Sequence, residues 1–193
     1  SLRRQRQMCI RDRFIGTLLL LIMGEGVVAN VLLQKTAGNN SGWIVITIGW
    51  GIAVFVGVYS STALGGNGHL NPAVTITQAL LENITWKEAA YFIAAQFGGA
   101  ILGSAIIWMT YKKHFDATDN ADTKLSVFCT APAISSPIHN LISEAVGTFM
   151  LVFGALLIAP SDVKLGALDA LPVALLVLGI GLSLGGPTGY AIN

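Results

Sequence analysis

Gly68-His69-Leu70-Asn71-Pro72-Ala73-Val74-Thr75 interrupts a chain that is otherwise a succession of long apolar runs. It reads as a helix start: Asn71 can cap the first orphan N–H groups, Pro72 suits the first helical position, and Ala73 to Leu80 can continue the turn. A helix begun inside a membrane aims its first donors, and the positive end of its dipole, at whatever passes in front of it. Alone, an Asn-Pro pair marks a capped turn in a loop; between apolar runs it can begin a helix inside the membrane.

The composition supplies those runs. The chain is 53% hydrophobic and 11% charged over 193 residues, with a mean hydropathy of +0.68, the profile of an integral membrane protein. Stretches long enough to cross a bilayer lie at 14–34, 43–63, 89–110, 138–159 and 168–186. The reading is therefore all-α, with five crossings and one half-helix.

The string GHLNPAVT resembles the first signature loop of the major intrinsic proteins, the aquaporins and glycerol facilitators. The resemblance runs from Phe14 to Asn193 and includes Gly186-Pro187-Thr188-Gly189-Tyr190-Ala191-Ile192-Asn193, which is similar to the approach to the family's second Asn-Pro-Ala loop. It implies an inverted repeat of membrane helices with two re-entrant half-helix loops. On this reading the family's second proline and alanine, pore arginine and sixth helix do not follow Asn193, so the channel domain over 14–193 is incomplete. Its first half covers about 14–110, a loop 111–139, and the second half about 140–193.

Residues 1–13 read differently. Met8-Cys9-Ile10-Arg11-Asp12-Arg13 translates ATG TGT ATA AGA GAC AG, and the preceding Arg-Arg-Gln-Arg-Gln fits the same transposase-derived sequencing adapter, so this segment is read as an artefact and set aside. Without its five arginines and Asp12, six basic and nine acidic residues remain, a net of −3 in place of +1. That balance excludes a nucleic-acid partner. Cys129 is then the one cysteine left, which removes disulfide frameworks and cysteine metal sites.

An internal repeat supports the inverted plan. Phe14-Ile15-Gly16-Thr17-Leu18-Leu19-Leu20 returns as Ala145-Val146-Gly147-Thr148-Phe149-Met150-Leu151 at an offset of 131, and the two asparagines are 122 apart. Glu144 falls where the first half has Arg13, and the resemblance makes it the support of a re-entrant loop. Counted with the N-terminus inside, Lys87 and Lys164 are cytoplasmic while Lys35, Lys112, Lys113 and Lys124 are outside, against the positive-inside tendency. The N-inside orientation rests on the family alone.

What the resemblance implies about function is a passive channel, not an enzyme, with no cofactor or metal. Asn71, Pro72, Ala73 and Asn193 form the pore loops, with the amides of both asparagines donating to one passing oxygen; the backbone of Gly68, His69, Leu70 and Gly189 lines the pore. Trp50, Gly181 and Tyr190 occupy three of the four filter positions, Gly181 widening the pore where water-selective members place histidine. The expected permeants are glycerol, related small neutral solutes and water, in a homotetramer within a lipid bilayer, such as a bacterial inner membrane. The alternatives are a water-selective aquaporin and a secondary transporter, for which Glu25 and Glu144 are the available acidic residues in the spans. Glu25 reads more simply as a protonated residue at a helix or subunit contact. Gly99 and Gly103 read as a close helix crossing. Asp116, Asp119, Asn120 and Asp122 lack the EF-hand glycine and glutamate and read as a solvated acidic loop.

Overall fold

A computed structural model of the chain describes residues 2–66, 68–158 and 166–193, without the side chains of 2–9 and 167. Lys164, and position 159 at the end of the fourth expected span, lie outside the described residues. Every regular element described is helical. The helices are α1 (Leu2–Leu32), α2 (Trp43–Ala63), the short α3 (Pro72–Leu80), α4 (Trp86–Thr110), α5 (Lys112–Ala117), α6 (Ala121–Leu125), α7 (Pro137–Ile158) and α8 (Ala170–Leu184), the last preceded by a 3₁₀ turn at Gly166–Asp169. In α1 the stretch long and apolar enough to cross a membrane is Ile10–Leu32, and α2, α4 and α7 meet the same standard whole. The fifth expected crossing, 168–186, is carried by α8, an apolar helix whose 15 residues fall short of the length at which the other four cross.

The start of α1 departs from expectation: the helix begins at Leu2 and not near 14. Residues 2–13 contain neither glycine nor proline and are rich in arginine and glutamine, so nothing in them stops a helix. At its other end α1 stops cleanly. Its last carbonyls are taken by the turn that follows: Thr36 Oγ1 donates to Asn30 O (2.5 Å), Asn40 N to Val31 O (2.9 Å) and Asn39 Nδ2 to Leu33 O (3.0 Å). α4 opens with a reciprocal capping box between Thr85 and Glu88.

α1 packs between α2 and α4; α2 also packs on α8, which in turn meets α7, while α3 lies against α4 and α7. The α1–α4 crossing is as close as the glycine pair implies. A Cβ on Gly99 would run into the carbonyl oxygen of Phe14, and one on Gly103 would stand 2.9 Å from Leu21 Cβ. Outward, α7 presents Ile138, Leu141, Phe149 and Leu157, each at least 60% exposed, a surface suited to lipid.

Asp116, Asp119, Asn120 and Asp122 are exposed, as the solvated reading expects, but the stretch after α4 that carries them is ordered. It carries α5 and α6, buries Phe115 and Val127 against Ala29, Leu33 and Ile107, and stacks Phe115 on Phe128 at 5.5 Å. Gln34 N donates to Thr118 Oγ1 at 2.9 Å, tying the segment to the end of α1. Asn120 caps α6 through Thr123 N, and Asp116 pairs with Lys112, whose hydrogen bond holds that carboxyl below its ordinary value. Both side chains thus serve local structure.

Gly99→Val tests the crossing. The added methyls meet backbone that cannot swing aside, so a loss of about 1–3 kcal/mol is expected, seen as a lower melting temperature of the detergent-solubilised protein; an unchanged melting curve contradicts the close contact.

Candidate functional site

Asn71 is extended (φ −129°, ψ 127°) and caps α3: its Oδ1 accepts from Ala73 N at 2.8 Å, and its carbonyl accepts from Thr75 N at 2.9 Å. Pro72 stands first in the helix. On the other side of the same amide, Asn71 Nδ2 donates to the carbonyl of Ile192 at 2.8 Å. One hydrogen joins the two loops, and the amide carries a second.

The residues ahead of Asn71 are held from behind. Gly68 has φ +75°, and a Cβ there would also stand 2.9 Å from Val58 Cγ1, so both conformation and space call for glycine. His69 is buried, with Nε2 2.7 Å from an Arg13 nitrogen and Nδ1 2.9 Å from Thr75 Oγ1. Arginine only donates, so Nε2 accepts and Nδ1–H donates to Thr75. Gln96 completes the bracket, giving Nε2 to His69 O (3.1 Å) and Thr75 Oγ1 (2.9 Å). In the sequence Arg13 reads only as part of the set-aside segment and Thr75 only as part of the helix start, and Gln96 is not singled out; the signal available for it is an amide in the middle of an apolar helix.

The second loop hangs on one carboxylate. Glu144 Oε1 accepts from Thr188 Oγ1 (2.5 Å) and Ala191 N (3.2 Å), and Oε2 from Ile192 N (2.9 Å). Gly189, Tyr190 and Ile192 all have positive φ, and for the last two such backbone costs on the order of 1–3 kcal/mol each. In the first half, the repeat position of Glu144 holds Arg13, which cannot accept from backbone. It lies fully buried, paired with Asp12 at 2.8 Å and stacked over the Phe92 ring.

Where Gly181 lacks a side chain, Tyr190 fills the space: its Cζ lies 2.7 Å from where a Cβ would be. The glycine therefore makes room for the Tyr190 ring. Trp43, absent from the sequence reading, fixes that ring. Its Nε1 donates to Gly181 O at 3.1 Å and its ring meets Tyr190 edge-on at 5.8 Å.

One cavity of about 1370 Å³ brings the predicted residues together. Trp50 and Tyr190 border it, as do Asn71, Pro72 and Asn193 and the loop residues Gly68, His69, Leu70 and Gly189. Ala73, Gly181 and Glu144 do not line it. No metal-binding cluster occurs among the described residues.

Residues 4–193 match the major intrinsic protein family. Over 180 residues the chain is 50% identical to a glycerol uptake facilitator protein of Streptococcus pneumoniae, covering 93% of this chain and 76% of that one. It is 47% identical over 179 residues to a glycerol uptake facilitator protein of Bacillus subtilis, covering 93% and 65%. The solved aquaglyceroporin from Plasmodium falciparum superposes with a TM-score of 0.85 at 27% identity, covering 97% of this chain and 76% of that one.

Glu144→Gln tests the hold on the second loop. An amide nitrogen cannot accept, so a donor among Thr188, Ala191 and Ile192 loses its partner at a cost of about 1–3 kcal/mol. A lower melting temperature with water and solute permeability falling together is expected; full permeability contradicts the arrangement.

Proposed function

We propose, since the chain belongs to the major intrinsic protein family, that it is a passive membrane channel for glycerol and other small neutral solutes, with water. It is an integral membrane protein of a channel family and not an enzyme. The observation that carries the reading is the cavity in which Asn71 and Asn193 share a wall with Trp50 and Tyr190. The aromatic faces suit the C–H side of a polyol, and the asparagine amides supply donors for its hydroxyls. The names of the relatives from Streptococcus pneumoniae and Bacillus subtilis support glycerol. Nothing is bonded or broken, so selectivity comes from shape and hydrogen bonding alone.

Proton exclusion follows from the same parts. The N-terminus of α3 is a positive dipole end, and a water oxygen that accepts from fixed amides is turned so that it cannot pass a proton through in both directions. A homotetramer in a bacterial plasma membrane, with one pore per subunit, completes the proposal. We also read residues 1–13 as foreign to the parent channel, supported by the arginine standing at the repeat position of Glu144. Genomic sequencing upstream of the Phe14 codon tests this: other codons support it, and the same thirteen contradict it.

The functional test is stopped-flow light scattering on proteoliposomes of the full-length gene product. Re-swelling in glycerol much faster than in empty liposomes, and unchanged by an imposed proton gradient, is expected. Shrinkage without re-swelling indicates a water-selective channel, and gradient-dependent uptake indicates a coupled transporter.

A further inference from the structure

Glu25 is a buried carboxyl in the crossing helices, on the wall of the same cavity, that the pore reading does not use. It is 4% exposed, at the level of α1 where Gly24 faces Trp50. A Cβ on Gly24 would overlap the six-membered ring of Trp50, coming within 2.6 Å of Cη2 among other atoms, so the indole rests on bare backbone. One residue on, roughly 100° around the helix, Glu25 Oε1 accepts from Ser104 Oγ of α4 at 2.7 Å. Gly26 next to it faces Ile107 Cδ1. Three consecutive residues of α1 therefore touch two different helices, and the contact made by the middle one is directional.

We propose that Glu25 is a positioning residue for solute selectivity: its hydrogen bond with Ser104 sets the rotation and height of α1 against α4, and so the seat that Gly24 offers to Trp50. The glycine contacts along α1–α4 bring the helices close but leave sliding and rotation to be fixed, because bare backbone against methylene has little directional preference. A hydrogen bond between two helices supplies that direction. Glu25 makes no ion pair among the described residues, and a lone carboxylate at membrane depth is costly, so the side chain acts as a neutral acid. A glutamine can then replace it. The other oxygen, Oε2, is buried without a partner in the structure, so the tie to α4 rests on Oε1 alone.

The proposal rests on Trp50 being part of the filter, and the test separates the two. In proteoliposomes of the full-length gene product, the ratio of glycerol to water permeability is measured for Trp50→Ala, Glu25→Ala, Ser104→Ala, the Glu25→Ala/Ser104→Ala double variant and Glu25→Gln. Trp50→Ala is expected to shift the ratio. Glu25→Ala and Ser104→Ala each shift it in the same direction, on the order of threefold, the double variant adds nothing further, and Glu25→Gln retains the parent ratio. A merely structural loss lowers both permeabilities and leaves their ratio alone. If Trp50→Ala leaves the ratio unchanged, the filter reading fails; if Trp50→Ala shifts it while Glu25→Ala and Ser104→Ala do not, the positioning role is overturned. Should Glu25→Ala not fold, Ser104→Ala, which removes only the donor, decides alone.

Discussion

The hydrogen bond from Asn71 Nδ2 to Ile192 O joins two segments that each enter the protein from outside the regular helices. At membrane depth no bulk water is available to satisfy exposed backbone, so irregular chain survives there only where protein or a wet cavity meets its polar groups. Asn71 answers that constraint three times over: for α3 through Ala73 N, for its own turn through Thr75 N, and for the opposite loop through Ile192 O. Glu144 does the corresponding work for the second loop. The rest of the molecule follows as the frame that brings these two groups to one place.

That frame is close-packed where it has to be. Gly99 and Gly103 bring α4 onto α1, and Gly24 and Gly49 let α2 approach, so that the tryptophan carried by α2 reaches the cavity. The aromatic side of the cavity is built by substitution of volume: Gly181 yields its space to Tyr190, and Trp43 pins both. The backbone strain stored at Tyr190 and Ile192 is tolerated because Glu144, Asn71 and Thr130 contact the same short loop from three directions.

Much of this was legible in the sequence, for physical reasons that can be named. The crossings were readable because an apolar run of membrane length is rare in a chain that folds in water, and the half-helix because Asn-Pro followed by helix formers specifies a cap and a first turn. Trp50, Tyr190 and Asn193 were named through the family resemblance, and they border one cavity with Asn71. The support of the first loop was not legible: Thr75 and Gln96 act through tertiary contacts that no local spacing announces. The order in residues 112–128 was hidden because its acidic side chains look like solvent-facing loop, while Phe115 and Val127 carry the packing. The length of α1 was hidden because a segment's origin and its helical propensity are separate properties.

The direct test of the account is amide hydrogen exchange on the reconstituted protein, with and without Asn71→Ala. In the parent, Ala73, Ala191 and Ile192 should exchange far more slowly than exposed Ile134. In the variant, Ala191 and Ile192 should speed up although their own acceptor, Glu144, is untouched, because the second loop has lost its tie to the first. Unchanged protection at Ala191 and Ile192 would contradict the claim that the two loops hold each other.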